Sequence, residues 1–372
     1  MKVLQVYKDY YPPVKGGIEG HINLLSRGLA KRGIEVEVLV SSTGPKKTTA
    51  SDNGIPITRV PEFGRVASAP VNPTLPFWLK RLGKDADIVH FHFPNPTAEL
   101  SCLLCRSNRR LVVTYHSDIV RQARLAVWYG PLLSRFLRRA GAIIATSDNY
   151  LQSSRILGRF RDKCTVIPLG IDLDRFRVRA QQAAEIEAAR ARYGPGIVLF
   201  IGRFRHYKGL HVLIRAMSRV EGTLLLIGTG PLQEDLRRLV RSLELEDRVL
   251  FLGELSDHEV DIYLHACDLL VLPSILRSEA FGVVLLEAMA CGKPVVSTEL
   301  GTGTSFVNRH EETGLVVPPN DAVALERAIS FLLANPETRI NLGRAGRTRV
   351  ERHFASETMV ERVLAVYERG RS

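Results

Sequence analysis

The 372-residue chain lacks the features that mark membrane-spanning and disulfide-rich proteins. It has no run of about 18 apolar residues, which argues against a transmembrane helix. Its 5 cysteines are odd in number and scattered, which argues against a disulfide framework. The amino terminus enters an apolar stretch without a signal-peptide pattern. We therefore expect a cytoplasmic protein.

Signatures of zinc and dinucleotide binding are missing as well. Cys102 and Cys105 are closely spaced, but no second pair of cysteines or histidines stands at zinc-ligand spacing, so we interpret them as buried thiols. The glycines of "KDYYPPVKGGIEGH", residues 8–21, do not have the G-x-G-x-x-G spacing of a dinucleotide site. We expect this turn to serve a different ligand.

Acidic residues are scarce in the first half of the chain. Residues 1–176 contain 26 Lys and Arg against 14 Asp and Glu, and the remainder contains 25 of each. The net charge of +12 therefore lies wholly in the first half. Nucleic acid, an anionic membrane surface or an acidic substrate would each complement it, and a solvated basic face without a partner is the alternative.

Strand-like and helix-like segments alternate along the chain, which predicts an α/β fold with parallel sheets covered by helices. The alternation runs from "KVLQVY" to "CTVIPLG", breaks, and restarts at "IVLFIGRF". We predict two doubly wound, Rossmann-like domains, residues 1–176 and 196–354, joined by a linker at residues 177–195. Residues 355–372 are expected to form a helix that packs back on the first domain or on the second.

Two basic residues follow the first strand of the second domain. In "GRFRHYKG", Arg203 and Lys208 stand in a loop bounded by Gly202 and Gly209. Ligands of parallel sheets bind at the carboxyl ends of the strands. A guanidinium and an ammonium group beside flexible backbone there suit a diphosphate. Two solvated cations are the alternative.

An apolar helix with two glutamates is predicted in "SEAFGVVLLEAMACGKPVV". Glu279 precedes this helix, and Glu287 lies inside it on the face of Val283 and Val284. Carboxylates in such places can accept hydrogen bonds from sugar hydroxyls. The unpaired amides of the helix N-terminus form a predicted anion site, and they belong to Phe281, Gly282, Val283 and Val284.

Several motifs together resemble one enzyme family. The glutamate pair, "EAFG", and "GR" followed by "KG" are similar to the signature of the family-four retaining glycosyltransferases of the GT-B fold. Further similarities are "VIPLGID", "IGTGP", "HEETGLVVPPND" and the glycine pair after the first strand, in the order of the family. The resemblance spans nearly the whole chain and includes the bacterial mannosyltransferases. It implies two Rossmann-like domains that face each other across a cleft.

The resemblance implies a role for each of the four charged residues. Arg203 and Lys208 would hold the diphosphate of a nucleotide sugar. Glu287 would bind the ribose hydroxyls, and Glu279, as a catalytic residue, the hydroxyls of the donor sugar.

The same resemblance assigns four further donor residues. Leu255 and Asp257, in "FLGELSD", would lie near the base. Gly16 and Gly17 would let a backbone amide of the first domain approach the phosphate, because they carry no side chain.

Histidines stand at the ends of first-domain strands. His116, in "VVTYHSD", matches a family histidine near the transferred sugar and is taken as a catalytic residue. Asp118 would support it or bind the acceptor. His90 and His92 lie on one face of the strand "DIVHFHF" and are further candidates. A structural role is the alternative for a lone histidine.

The resemblance implies sugar transfer with retention of configuration and no assigned nucleophile. We expect front-side attack, in which a leaving oxygen helps take the proton of the acceptor and positive charge stabilises the departing diphosphate. No D-x-D metal motif lies near the cleft segments, so no metal or other cofactor is expected. The expected donor is GDP-mannose, with UDP sugars as the alternative, and the expected acceptor is a glycan or lipid-linked precursor of cell-surface polysaccharide.

Other functions share these motifs. A regulatory protein could bind the nucleotide sugar without transferring it. A GT-B epimerase or a glycogen-synthase-like polymerase would use a related donor site.

A basic and apolar segment of the first domain suggests a membrane contact. The stretch "DIVRQARLAVWYGPLLSRFLRRAG" is typical of a helix pair at an anionic membrane surface. Its basic residues are Arg121, Arg124, Arg135, Arg138 and Arg139, and its apolar ones are Leu125, Val127, Trp128, Tyr129, Leu132, Leu133, Phe136 and Leu137. The alternative is that the apolar residues face the core. We favour the membrane over nucleic acid, because the cleft is already assigned to a sugar donor.

Overall fold

The computed structural model describes residues 1–66, 69–105, 109–118 and 123–369. The chain divides into two compact units. One contains Met1–Gly170 and the carboxyl-terminal helix, and the other contains Ile171–Ala355.

The first unit is built on one main sheet. Its strands are β1 (Lys2–Val6), β2 (Glu35–Ser41), β3 (Thr48–Asp52), β4 (Ile55–Val60), β5 (Arg65–Val66), β6 (Ala69–Pro70), β7 (Ile88–Phe93), β8 (Arg110–Tyr115), β9 (Ala142–Ala145) and β10 (Cys164–Val166). In the described chain the main sheet has the order β10-β9-β8-β7-β1-β2-β4-β3, and β5 pairs with β6. Neighbours in the main sheet run parallel except β3 and β4.

Helices of the first unit connect and cover these strands. They are α1 (Gly17–Ala30), α2 (Leu75–Gly83), α3 (Pro96–Leu104), α4 (Ala123–Arg139) and α5 (Asp148–Ser153). On α1, Ile22, Leu25 and Leu29 are buried and share a core with Val3 of β1 and Val38 of β2. Their spacing of three and four residues puts them on one face of the helix, and the burial of that face holds α1 against the sheet.

The second unit has one parallel sheet. Its helices are α6 (Ala180–Tyr193), α7 (Leu210–Met217), α8 (Gln233–Ser242), α9 (Asp257–Ala266), α10 (Val283–Ala290), α11 (Gly303–Val307), α12 (Ala322–Ala334) and α13 (Pro336–His353). Its strands are β11 (Ile197–Ile201), β12 (Thr223–Ile227), β13 (Val249–Gly253), β14 (Leu269–Leu272), β15 (Val295–Thr298) and β16 (Gly314–Val317). They have the order β13-β12-β11-β14-β15-β16. Both sheets thus contain the strand order of a Rossmann domain, as predicted.

The chain returns to the first unit through its last helix, α14 (Ser356–Glu368). A Cβ added to Gly28 of α1 would lie 2.5 Å from a methyl carbon of Val360, so α1 and α14 approach closely there. Arg110 donates from Nη1 to the carbonyl oxygen of Tyr367 at 2.6 Å. These contacts attach α14 to the helix and sheet of the first unit.

Two segments differ from the predicted organisation. Residues 177–195, predicted as a linker, contain helix α6, which belongs to the second unit because Ile186 packs against Ile262 and Ala266. The hairpin of β3 and β4 was not predicted. Its turn has positive φ at Asn53 and Gly54, +49° and +81°, which is the conformation that an Asn-Gly hairpin favours.

From residue 123 on, the basic segment of the first unit forms one helix, α4 (Ala123–Arg139), where a helix pair was predicted. Leu133, Phe136 and Leu137 are buried in the core, which corrects their assignment to a membrane surface. Arg135, Arg138 and Arg139 are exposed. Arg121 and the side chains of Arg124, Leu125, Val127 and Trp128 lie outside the described residues. In the described ranges, no helix is both long enough and apolar enough to cross a membrane.

Candidate active site

Glycine backbone packs closely at the carboxyl ends of β11 and β12. A Cβ on Gly228, which has φ +125°, would lie 2.2 Å from the carbonyl oxygen of Gly202. A Cβ on Gly230 would lie 2.6 Å from that of Phe204. Because side chains cannot enter these gaps, the "GRF" loop lies directly on the "GTGP" loop.

A second close contact brings Lys208 to the end of β14. Gly209 has φ +68°, and a Cβ there would lie 2.0 Å from the carbonyl oxygen of Pro273. The amide of Ile275 donates to the carbonyl oxygen of Tyr207 at 2.8 Å. The loop after β11 is therefore held against the loop after β14.

Lys208 and Glu279 form a buried ion pair. Lys208 Nζ lies 2.5 Å from Glu279 Oε2, and the two side chains are 12% and 10% exposed. Ser274 Oγ donates to the same carboxylate oxygen at 2.9 Å. Burial lowers the pKa of Lys208, the Glu279 carboxylate raises it, and the net direction is upward. Lys208 is therefore charged at neutral pH, and Arg203 in the same loop is exposed.

Helix α10 follows Glu279 in the sequence, and its N-cap residue is a glycine in the left-handed conformation. Gly282 has φ +78°, and a Cβ there would lie 2.9 Å from Leu272 Cδ2, so glycine is required. Gly282 is the N-cap residue, and it provides no side-chain hydrogen bond to the first amides of the helix. Phe281 is buried, while Val283 and Val284 are half-buried. The predicted anion-binding amides therefore stand at a real helix N-terminus.

Glu287 lies half-buried on α10 among charges from two other segments. Burial raises the pKa of Glu287, Arg175 opposes this, and Asp261 and Asp257 add to it. Arg175 donates to both carboxylate oxygens of Asp261, from Nη2 at 2.9 Å and from Nε at 3.2 Å. Within the described residues no donor contacts the Glu287 carboxylate, so it is available to a ligand hydroxyl. Asp257 and Leu255, predicted near the base, are half-buried at the start of α9.

Three neutral histidines converge in the first unit. His92 of β7 contacts Gln5 Oε1 through Nε2 at 2.9 Å and His116 Nε2 through Nδ1 at 3.0 Å. His21 of α1 stacks edge-on against both rings. Burial lowers the pKa of His21 to about 4 and holds those of His92 and His116 well below the ordinary value. All three are therefore uncharged at neutral pH.

The other first-unit candidates make internal hydrogen bonds. His90 is bonded on both sides, to the Tyr367 hydroxyl at 2.6 Å and to Thr114 Oγ1 at 2.7 Å, which favours the structural alternative for it. Asp118 Oδ1 accepts from the Tyr115 hydroxyl at 2.8 Å.

The predicted glycine pair stands at the start of α1. Gly17 is the first helical residue and Gly16 its extended cap. A Cβ on Gly16 would lie 2.2 Å from Glu19 Oε2. The approach of this turn to a phosphate stays a prediction.

Sequence reasoning missed the partners that orient the site residues. Ser274 and Arg175 carry no motif of their own that would predict their hydrogen bonds to Glu279 and Asp261. His21 was overlooked although it ends the quoted opening stretch. Its position four residues after Gly17, on the buried face of α1, was the available signal.

Comparison with known proteins agrees with this geometry. The model of "Glycosyltransferase Family 4" matches residues 15–175, and that of "Glycosyl transferases group 1" matches residues 181–349. The O-antigen chain mannosyltransferase C of Escherichia coli is 40% identical over 99% of this chain and 98% of its own length. The chain is a family-four glycosyltransferase.

Other relatives bear on the fold and on the range of donors in the family. The D-rhamnosyltransferase WbpZ of Pseudomonas aeruginosa is 38% identical over 96% of this chain and 93% of its own length. The solved sucrose-phosphate synthase of Thermosynechococcus elongatus has a TM-score of 0.81 and 26% identity, with 98% of each chain covered. The predicted GT-B fold of this glycosyltransferase is confirmed.

The ion pair of the glycosyltransferase yields a stability prediction. Lys208→Met and Glu279→Gln should each cost about 3–5 kcal/mol of unfolding free energy, because either change leaves one buried charge without its partner. The double variant should lose less unfolding free energy than the two single variants lose together. Since the pKa of Lys208 is raised in the folded chain, the contribution is complete at neutral pH and is lost as the pH rises through that raised value.

The measurement is a double-mutant cycle by urea unfolding at pH 7. The exposed pair Arg238 and Asp235, with side chains 65% and 59% exposed, is the matched control and should show little coupling. Strict additivity of the Lys208 and Glu279 variants would contradict the assignment of an energetically coupled pair.

Proposed function

We propose that this glycosyltransferase transfers mannose from GDP-mannose, with retention, to a glycan or lipid-linked acceptor in the synthesis of cell-surface polysaccharide. The observation that carries the proposal is the buried ion pair of Lys208 and Glu279, which joins the loop after β11 to the loop after β14. It supplies fixed positive charge and a carboxylate at the carboxyl ends of the strands, where parallel sheets bind ligands. The 40% sequence identity to an O-antigen chain mannosyltransferase supports the choice of sugar and acceptor.

The chemical roles follow from charge and available lone pairs. Lys208, exposed Arg203 and the first amides of α10 would stabilise the departing diphosphate. Both described contacts of Glu279 go to Oε2. Within the described residues Oε1 accepts no hydrogen bond, so it would accept from a hydroxyl of the donor sugar.

Glu287 would accept from the ribose hydroxyls, because its carboxylate has no donor among the described residues. Asp257 and Leu255 would lie near the base, as the family resemblance implies. For Gly16, Gly17, His116 and Asp118, the roles implied by that resemblance stay predictions.

We propose front-side attack without a protein nucleophile. Glu279 is already engaged by Lys208 and Ser274, which favours a binding role for its carboxylate over a nucleophilic one. The acceptor hydroxyl would attack from the face that the diphosphate leaves, and a diphosphate oxygen would take its proton. Lys208 and Arg203 would supply the charge that a divalent cation supplies elsewhere, so we propose that transfer needs no metal cofactor.

D-rhamnose is a second candidate sugar, because one relative is a D-rhamnosyltransferase at 38% identity. D-rhamnose is mannose without its 6-hydroxyl, so the two GDP sugars form a matched pair of donors. UDP-glucose tests the choice of base, and GDP alone tests the contribution of the sugar.

A donor panel tests the proposed function. GDP-mannose at about 100 times its dissociation constant should stabilise the protein by about 2.7 kcal/mol, and UDP-glucose should stabilise it less. Release of GDP in the presence of acceptor, measured by chromatography, should follow. Stabilisation without any release of GDP would leave a nucleotide-sugar-binding protein, and preference for UDP-glucose would refute the proposed donor.

Substitutions of the two glutamates should have different effects on the steady-state constants KM and kcat. Glu287→Gln should raise the KM for the donor about 10- to 100-fold with kcat nearly unchanged, because ribose contacts are shared by ground and transition states. Glu279→Gln should lower kcat, because its contacts change as the sugar departs. Glu246→Gln, an exposed change in the same unit, is the control. The reverse pattern would mean that the two roles are exchanged.

We propose that the first unit associates with an anionic membrane surface that carries a lipid-linked acceptor. Exposed Arg135 and Arg138 lie on α4. A cavity of about 650 Å³ in the same unit is lined by apolar residues and by Lys80, Lys84, Arg109 and Arg139. Phe77 and Leu104 at this cavity are 60% and 66% exposed. Exposed apolar and basic residues together complement an anionic lipid surface.

Liposome sedimentation tests the membrane association. Arg135→Ser with Arg138→Ser should weaken binding to anionic vesicles about 30-fold, since each basic residue adds about 1 kcal/mol near such a surface. Wild-type binding should fall as salt is added. Arg241→Ser with Arg352→Ser, the same charge change in the second unit, is the matched control. Equal binding to neutral and anionic vesicles would exclude an electrostatic membrane contact.

A further inference from the structure

Two of the three converging histidines have ring nitrogens without hydrogen-bond partners. His21 is 5% exposed and His116 is 2% exposed. Within the described residues, both nitrogens of His21 and Nδ1 of His116 have no partner. Buried polar atoms are nearly always bonded, so three such atoms in one cluster indicate an additional ligand.

The hydrogen bonds of His92 define which of its nitrogens can bind a cation. Gln5 Nε2 donates to the Tyr367 hydroxyl at 3.4 Å, which leaves Gln5 Oε1 to accept from His92 Nε2. His92 Nδ1 is therefore unprotonated and carries a lone pair. A second ring nitrogen that donates to an amide oxygen is the usual support of a metal-binding histidine.

A change of tautomer lets His116 Nε2 offer its lone pair to the same cation. Among the described residues, this change breaks no protein hydrogen bond at His116 Nδ1. Because His92 Nδ1 carries the lone pair, His116 Nε2 donates to it at 3.0 Å. If the proton moves to Nδ1, both facing nitrogens present lone pairs. Nδ1 has no partner within the described residues, so the exchange of tautomer breaks no bond there.

The spacing of the three residues fits a tetrahedral ion after a small adjustment. One ligand atom from each of His21, His92 and His116 lies within 4.8 Å of the others. Nitrogens at about 2.05 Å from a tetrahedral zinc ion are about 3.3 Å apart, so the ligand atoms have to approach one another by at most about 1.5 Å. A fourth position would stay open for a non-protein ligand.

We propose that His21, His92 and His116 form a binding site for a transition-metal ion of the Zn²⁺ class. Neutral imidazoles suit zinc, copper and nickel, whereas Mg²⁺ and Ca²⁺ prefer oxygen ligands. All three residues belong to the first unit. The existence of the site depends neither on the identity of the donor sugar nor on transfer activity.

Zinc titration of the chelator-treated full chain tests the proposal. Calorimetry should show one Zn²⁺ bound per chain, and Mg²⁺ should give no comparable heat. His21→Phe keeps an aromatic ring without ligand nitrogens and should weaken Zn²⁺ binding at least about tenfold. The same change at exposed His258 is the matched control and should leave the affinity unchanged. Wild-type affinity in His21→Phe would overturn the site.

X-ray absorption of the zinc-loaded wild type identifies the ligands even if His21→Phe does not fold. Imidazole nitrogens at about 2.0–2.1 Å are expected. Sulfur at about 2.3 Å would mean that the free cysteines bind the ion, and it would overturn the proposal. A failure of the donor panel would leave these results unchanged, so the two proposals fail independently.

Discussion

The buried ion pair of Lys208 and Glu279 is the interaction on which the loops of the second unit depend. Two charges removed from water are costly unless each satisfies the other and further hydrogen bonds complete them. Ser274 supplies one such bond. The pair also needs the close backbone contact at Gly209, because a side chain there would separate the loops. Charge and backbone geometry therefore hold the same two loops together.

The two units present different chemistry at the ends of their strands. In the second unit the groups are charged, with Lys208 facing Glu279 and Arg175 facing Asp261. In the first unit His21, His92 and His116 are neutral, because burial favours the uncharged imidazole. Charged groups suit a diphosphate and ribose hydroxyls, whereas neutral imidazoles suit lone-pair donation to a hydroxyl or a metal ion.

Much of the fold was predictable because burial leaves a pattern in the sequence. Strands covered on both faces read as apolar runs, such as "IVLFI" and "LLVL", and the predicted parallel sheets follow from them. The exposed strand β3 has no such run and was missed, although the Asn-Gly turn was a local signal. Helix α6 lies where a linker was predicted, because its segment has no strand-like run, and Ile186 is its buried apolar anchor.

The groups at the strand ends could be predicted from the sequence, because the order of residues places Arg203, Lys208, Glu279 and His116 after strand-like runs. Which of these groups meet depends on the tertiary structure. Lys208 and Glu279 are 71 residues apart in the chain, and the histidine cluster joins α1, β7 and the end of β8. Such contacts depend on burial and close backbone approach between distant segments, and no local pattern of residues encodes those distances.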